Sequence, residues 1–192
     1  MKALLYCTKG MPALFYDVIS KQYMYGIDTP RDRFSHRLNG QIVAEVEIDE
    51  VNRIWYMTYE EDNRYDCLFF TEEELCFKSC LDHYNLHDYL KGNNGYALRL
   101  TNLKVFDKPK DLSDYDVKRR TCQAIGGDIV RSITDSCSNA PQNMCNVYDN
   151  QDNHYVLISI QPQHLCRILN GRKTIEVRRK VLNCLKEMCE NG

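Results

Sequence analysis

Residues 155–180, "YVLISIQPQHLCRILNGRKTIEVRRK", hold the fold's signature. The run from Tyr155 to Ile160 is apolar and rich in β-branched residues, which predicts a buried strand. Pro162 suits the first turn of a helix, where its missing N–H is not needed. Leu165, Ile168 and Leu169 recur at helical spacing and predict that helix's buried stripe. Gly171 stands where a left-handed residue ends a helix, so the chain reverses there. "KTIEVRRK" then reads as extended chain, with Ile175 and Val177 facing the core and Thr174, Glu176 and Arg178 facing the other way.

That polar row has two readings. As a solvated strand face, Glu176 and Arg178 make a surface pair that adds little to stability. As the floor of a pocket, Glu176 accepts from a base's amino group and Arg178 holds a phosphate or carbonyl, with Lys173 over the row as a cation or base. Spacing alone does not separate the two.

Working outward, "ALLYC" (Ala3 to Cys7) predicts a second buried strand, and a polar, tyrosine-rich loop follows from Thr8 to Leu38. Asn39-Gly40 marks a turn into a strand that alternates Ile42, Ala44, Val46 and Ile48 against Val43, Glu45, Glu47 and Asp49. "RIWYMTYE" reads as that strand's partner. One or two short helices follow in "DCLFFTEEELCFKSCLDHYNLHDYLKGNNG", the last closed at Gly92 or Gly95. "YALRLTNLKVF" alternates again, and residues 117–139 read as an irregular excursion. Short alternating strands outnumber helices, which favours an α+β arrangement: a small barrel or mixed sheet with helices over its ends.

The chain has 192 residues and a formal net charge of −2, with a pI near 6.2. A protein that clamps a long duplex is usually strongly basic, so any nucleic-acid contact is expected to be local: one nucleotide or a short single strand. No run is long enough to span a bilayer, and "MKALLYCTKGMPALFY" lacks the apolar segment of a signal peptide, which predicts a cytoplasmic protein. The ten cysteines are then expected to be reduced, packing as small hydrophobes where Cys7, Cys145 and Cys166 stand. Cys76, Cys80, His83 and His87 have metal-like spacing, but Asp82 reads as an N-cap that starts a new helix and parts Cys76 from the histidines. No metal and no cofactor are expected.

"LISIQPQHLCRILNGRKTIEVRR" resembles the opening of domains of the ASCH (activating signal cointegrator homology) superfamily. Their hallmark G-x-K-x-x-E-x-R string is matched by Gly171, Lys173, Glu176 and Arg178. "YCTKG", "NGQIVAEVEID", "CLDHYNLHDYL", "GYALRLTNLKVFDKPKDLSDY" and "APQNMCNVY" are similar to segments of ASCH proteins from bacteriophages and bacterial mobile elements. The resemblance implies a PUA-like mixed β-barrel capped by helices. The order differs from the family's, in which the "LISIQP" unit precedes the "YCTKG" strand. This implies a circular permutation, with new ends opened beyond the G-x-K-x-x-E-x-R strand and old ends joined around residues 148–154. Residues 1–192 would then form one domain: 1–115 the second part of the barrel, 116–147 the excursion, 148–180 the first strand–helix–strand unit and 181–192 a C-terminal tail or short helix. Head and tail are expected side by side.

For function, the resemblance implies binding of RNA or a nucleotide. The ligand-binding candidates are Lys173, Thr174, Glu176, Arg178, Tyr6 and Lys9, with Tyr6, Trp55 and Tyr96 as candidate stacking surfaces, although a core position is the favoured reading of each aromatic. An alternative is hydrolysis of an N4-acylated cytidine nucleoside or of RNA by Lys173 and Glu176. Related amidohydrolases use a lysine, a threonine three residues later and a distant glutamate. Glu176 stands in the threonine's place, and Glu72, Glu73 and Glu74 lie near the region of the glutamate. A third class is a phage accessory that contacts a host protein.

Overall fold

Two runs that read as buried, Lys2–Cys7 (β1) and His154–Ile160 (β9), lie side by side as parallel strands inside the main sheet, with Ala3 opposite Val156 and Cys7 opposite Ile160. The computed structural model describes residues 1–26, 31–59, 63–118, 144–148 and 154–190. The other strands are β2 (Ala13–Asp17), β3 (Gln22–Gly26), β4 (Ile42–Thr58), β5 (Asn63–Cys67), β6 (Gly95–Lys110), β7 (Asp116–Lys118), β8 (Met144–Tyr148) and β10 (Ile175–Arg178). The helices are α1 (Glu72–Ser79), α2 (His83–Leu90), α3 (Pro162–Leu169) and α4 (Asn183–Glu190). The chain is mixed α+β.

The sheet runs β10-β6-β4-β1-β9-β8-β7, with β5 paired to the far part of β4, while β2 and β3 make a separate hairpin. Head and tail do meet. The path is open, however: among the described residues no ladder joins β10 back to β9, so the expected barrel is not closed by backbone pairing. A side chain makes the link instead, Arg178 Nη2 donating to the Ser159 carbonyl at 2.9 Å. A four-residue β10 already laddered to β6 leaves little backbone with which to close a ring.

β1 and β9 carry apolar residues on both faces because both faces are covered. Ala3, Leu5, Cys7, Val156, Ile158 and Ile160 enter the largest core with α3 and α4. Leu4 and Leu157 enter another with Ile42, Tyr115 and Tyr155. A third core packs Leu75, Leu86 and Leu90 of α1 and α2 against Ile54, Ala97, Ile175 and Val177.

Three expectations are corrected here. Residues 53–58, expected as a partner strand, continue β4 through its 17 residues, and the partner is β6. No glycine or proline interrupts the run, and register shifts at Ile42/Ala44, Glu45/Glu47 and Ile48/Glu50 absorb the bend. The loop expected at 8–38 contains the β2–β3 hairpin, pinned where Arg33 pairs with the buried Asp17. The Arg33 hydrogen bond holds the Asp17 carboxyl well below the usual carboxylate range. The ends of the excursion expected at 116–147 are strands, Asp116–Lys118 pairing with Asn146–Tyr148. Residues 119–143 and 149–153 lie outside the described residues.

Candidate functional site

The site begins at the C-terminal end of α1. Helix carbonyls there have no intrahelical donor and carry partial negative charge, so they attract cations. Lys173 Nζ donates to Ser79 O at 2.8 Å and Arg167 Nη1 to Cys80 O at 2.6 Å. Cys80 adopts a left-handed cap (φ 53°), and its Sγ donates to Arg172 O. The chain around Gly171 (φ 71°) and the last turn of α3 are thereby tied to the end of α1.

Lys173 also meets Glu176. Its Nζ lies 3.2 Å from Glu176 Oε2, and Arg178 Nη2 lies 2.9 Å from Glu176 Oε1. All three side chains are buried, Lys173 at 4% exposure, Glu176 at 3% and Arg178 at 0%. Burial would raise the Glu176 carboxyl, but Lys173 and Arg178 outweigh it and hold Glu176 below its ordinary value. Burial lowers the Lys173 ammonium, against the pull of Glu176. The surface-pair reading therefore gives way to a desolvated cation–carboxylate–cation row.

Beside this row opens a cavity of about 470 Å³, within the usual range for small-molecule sites. Lys173, Glu176 and Val177 form part of its wall, with Gln161 at the cap of α3, Gln163, His164 and Arg167 within α3, and Asn85, Asp88 and Tyr89 of α2. Its charges are mixed, with Lys91, Arg167, Lys173 and Arg179 as cations and Asp82, Asp88 and Glu176 as anions. The Arg179 guanidinium sits 4.9 Å from the Tyr89 ring centroid. Burial, reinforced by Lys173, pushes the His164 imidazole down to about 4, so it is neutral at physiological pH.

Buried polar side-chain atoms normally find partners. Among the described residues four do not: Gln163 Oε1, His164 Nδ1, and Nε and Nη1 of Arg178. Two belong to residues of the cavity wall, and the other two belong to Arg178, the buried partner of the wall residue Glu176.

Of the expected site residues, the fold gathers Lys173, Glu176 and Arg178. Thr174 is exposed, its backbone bridging Lys78 O and Leu100 N, because the chain is still leaving the turn there. Tyr6 packs beside Leu4 and Leu157, and Lys9 lies over the Asn39-Gly40 turn, so neither lines the cavity. Trp55 flanks a separate groove with Leu68 and Phe69, while Tyr96 packs against the largest core. Glu72, Glu73 and Glu74 occupy the first turn of α1, roughly 10 Å of helix from the end that holds Lys173. Glu72 is engaged there by Tyr65 N and by both His83 and His87 at 2.9 Å.

Asp82 caps α2 as expected, and the described residues contain no group of three His, Cys, Asp or Glu side chains arranged to hold a metal ion. The cavity residues from α2 were missed, although Asn85, Asp88 and Tyr89 share a face at i, i+3, i+4 spacing. Leu86 and Leu90 mark the neighbouring buried stripe. Compared with protein-family models, curated proteins and solved structures, the chain finds no match in any of the three.

Proposed function

We propose that this protein binds a nucleotide or a short single-stranded RNA segment in the cavity beside Lys173, Glu176 and Arg178. The observation that carries the reading is the pair of orphaned polar atoms on the wall residues Gln163 and His164, next to the buried Lys173–Glu176–Arg178 row. Leaving such atoms unpaired costs about 1–3 kcal/mol each, which a polar ligand or its waters would recover. The mixed charge of the wall suits a base and sugar better than a polyphosphate, and Tyr89 offers an aromatic surface.

The PUA-like fold and the circular permutation belong to the same proposal. The parallel β1–β9 ladder supports them, since it makes neighbours of segments that the permutation would have separated in sequence. A cytoplasmic setting goes with this reading, and Cys7, Cys76, Cys80 and Cys166 are all free thiols. No helix among the described residues is long and apolar enough to cross a membrane.

The test is a thermal-shift and calorimetric panel of nucleosides, nucleotides and short RNAs. At least one should bind, and His164→Ala should weaken it about tenfold or more without unfolding the protein. A folded protein that binds none of the panel refutes the reading.

A second reading is hydrolysis, favoured by the buried Lys173, whose lowered basicity beside Glu176 suits proton transfer. N4-acetylcytidine or RNA should then turn over, and Lys173→Ala should abolish it; equal rates in the variant would dismiss Lys173 as catalytic.

A further inference from the structure

The charges around the cavity divide by depth. At its rim stand two exposed cations, Lys91 and Arg179, and two exposed carboxylates, Asp82 and Asp88, so the rim is balanced. Deeper in, the balance fails. Lys173 and Glu176 are buried in the wall, Arg167 is half-buried, and Arg178 is buried against Glu176. Three cations thus face one carboxylate. Both oxygens of that carboxylate are already taken, Oε2 by Lys173 at 3.2 Å and Oε1 by Arg178 at 2.9 Å. The charges that act most on the His164 ring are these same four, so they gather around one part of the wall. Uncompensated charge out of water is costly, and an excess of two positive charges there favours a bound anion.

We infer that the inner end of the cavity takes a single phosphate monoester, so that the ligand is a nucleoside monophosphate or the phosphorylated end of a short RNA. This rests on the nucleotide-binding reading and narrows it by charge. A phosphate monoester carries about −1.5 to −2 at pH 7, which matches the excess. Arg167 spends one N–H on Cys80 O at 2.6 Å, and the rest of its planar fork suits phosphate oxygens. A second or third phosphate would reach toward the rim, where Asp82 and Asp88 offset the pull of Lys91 and Arg179, and would gain nothing there.

Titration calorimetry on the full chain tests it with adenosine and cytidine, their 5′-monophosphates and 5′-triphosphates, and inorganic phosphate. A short RNA with and without a 5′-phosphate tells the two sources of that group apart. The monophosphates should bind about tenfold tighter or more than the nucleosides, and the triphosphates no tighter than the monophosphates. Arg167→Gln keeps a donor for Cys80 O and removes the charge; it should bring the monophosphate-to-nucleoside ratio close to one while the melting temperature holds. Should that variant unfold, wild-type titrations in rising salt serve instead, where monophosphate binding should weaken and nucleoside binding should hold. Nucleosides that bind as tightly as their monophosphates, or triphosphates that bind tighter, overturn the inference and leave nucleotide binding standing. Inorganic phosphate that binds as tightly as the monophosphates overturns it in favour of a site for the free anion. A ratio that neither a folded Arg167→Gln nor salt alters overturns the role of charge, and with it the inference. If nothing in the panel binds, both readings fall together.

Discussion

Glu176 is the residue on which the buried row depends. Its carboxylate faces a lysine and an arginine, and all three side chains lie out of water. Removing one member of a buried ion cluster leaves the others uncompensated, which costs about 3–5 kcal/mol. Glu176→Ala should lose that much in urea denaturation; a loss under about 1 kcal/mol would mean that water already screens the cluster.

His164 gives the pH signature. Its pKa falls from 6.5 in the unfolded chain to about 4 in the fold, with Lys173, Glu176, Arg167 and Arg178 as its charged neighbours. Between those values the unfolded state binds the extra proton, so stability is intact above about pH 6.5 and declines as pH falls toward 4. His164→Gln should lose less stability than the wild type between pH 7 and pH 4.5. Parallel curves for the two proteins would show that the imidazole is not shielded.

At the scale of elements, a close join lies where Gly95, at the start of β6, meets the end of α2 and the backbone of β10. A Cβ placed on Gly95 would come within 2.9 Å of Leu90 Cδ2 and 3.1 Å of the Arg178 carbonyl oxygen. Leu90 can shift, but the backbone oxygen of β10 cannot move far without disturbing its ladder. Gly95→Ala should therefore cost about 1–3 kcal/mol by chemical denaturation, and an unchanged midpoint would mean that the strands part easily.

The same elements show what the sequence carries. α3 and β10 were legible because proline at the first turn, the Leu165–Ile168–Leu169 spacing and a left-handed glycine all agree. The pairing of Glu176 with Arg178 followed from one strand's alternation, and Lys173 joins them from the turn before that strand. The β2–β3 hairpin was not legible, because its turn places Lys21 rather than glycine or asparagine at positive φ (55°). The cavity's α2 wall was hidden for another reason. Which face of α2 lines the cavity opposite α3 depends on Lys173 and Arg167 reaching the end of α1, a tertiary matter that local pattern does not encode.

For the whole molecule, the sheet's interior is the sensitive region. Leu5 is fully buried on β1, with β4 on one side and β9 on the other. Leu5→Ala should cost about 2–5 kcal/mol, whereas the same change at the exposed Leu68 should cost little; comparable losses at the two sites would contradict this layout.

The parallel seating of β9 against β1 also carries a kinetic consequence. Contacts between residues so far apart in sequence raise the contact order, and chains of that kind fold slowly because a large loop must close before the pairing is rewarded. On a ribosome, β1 and β4 emerge long before β9. One edge of β1 must stay bare until β9 has emerged, leaving an adhesive strip that crowding or a missing chaperone would expose to other nascent chains.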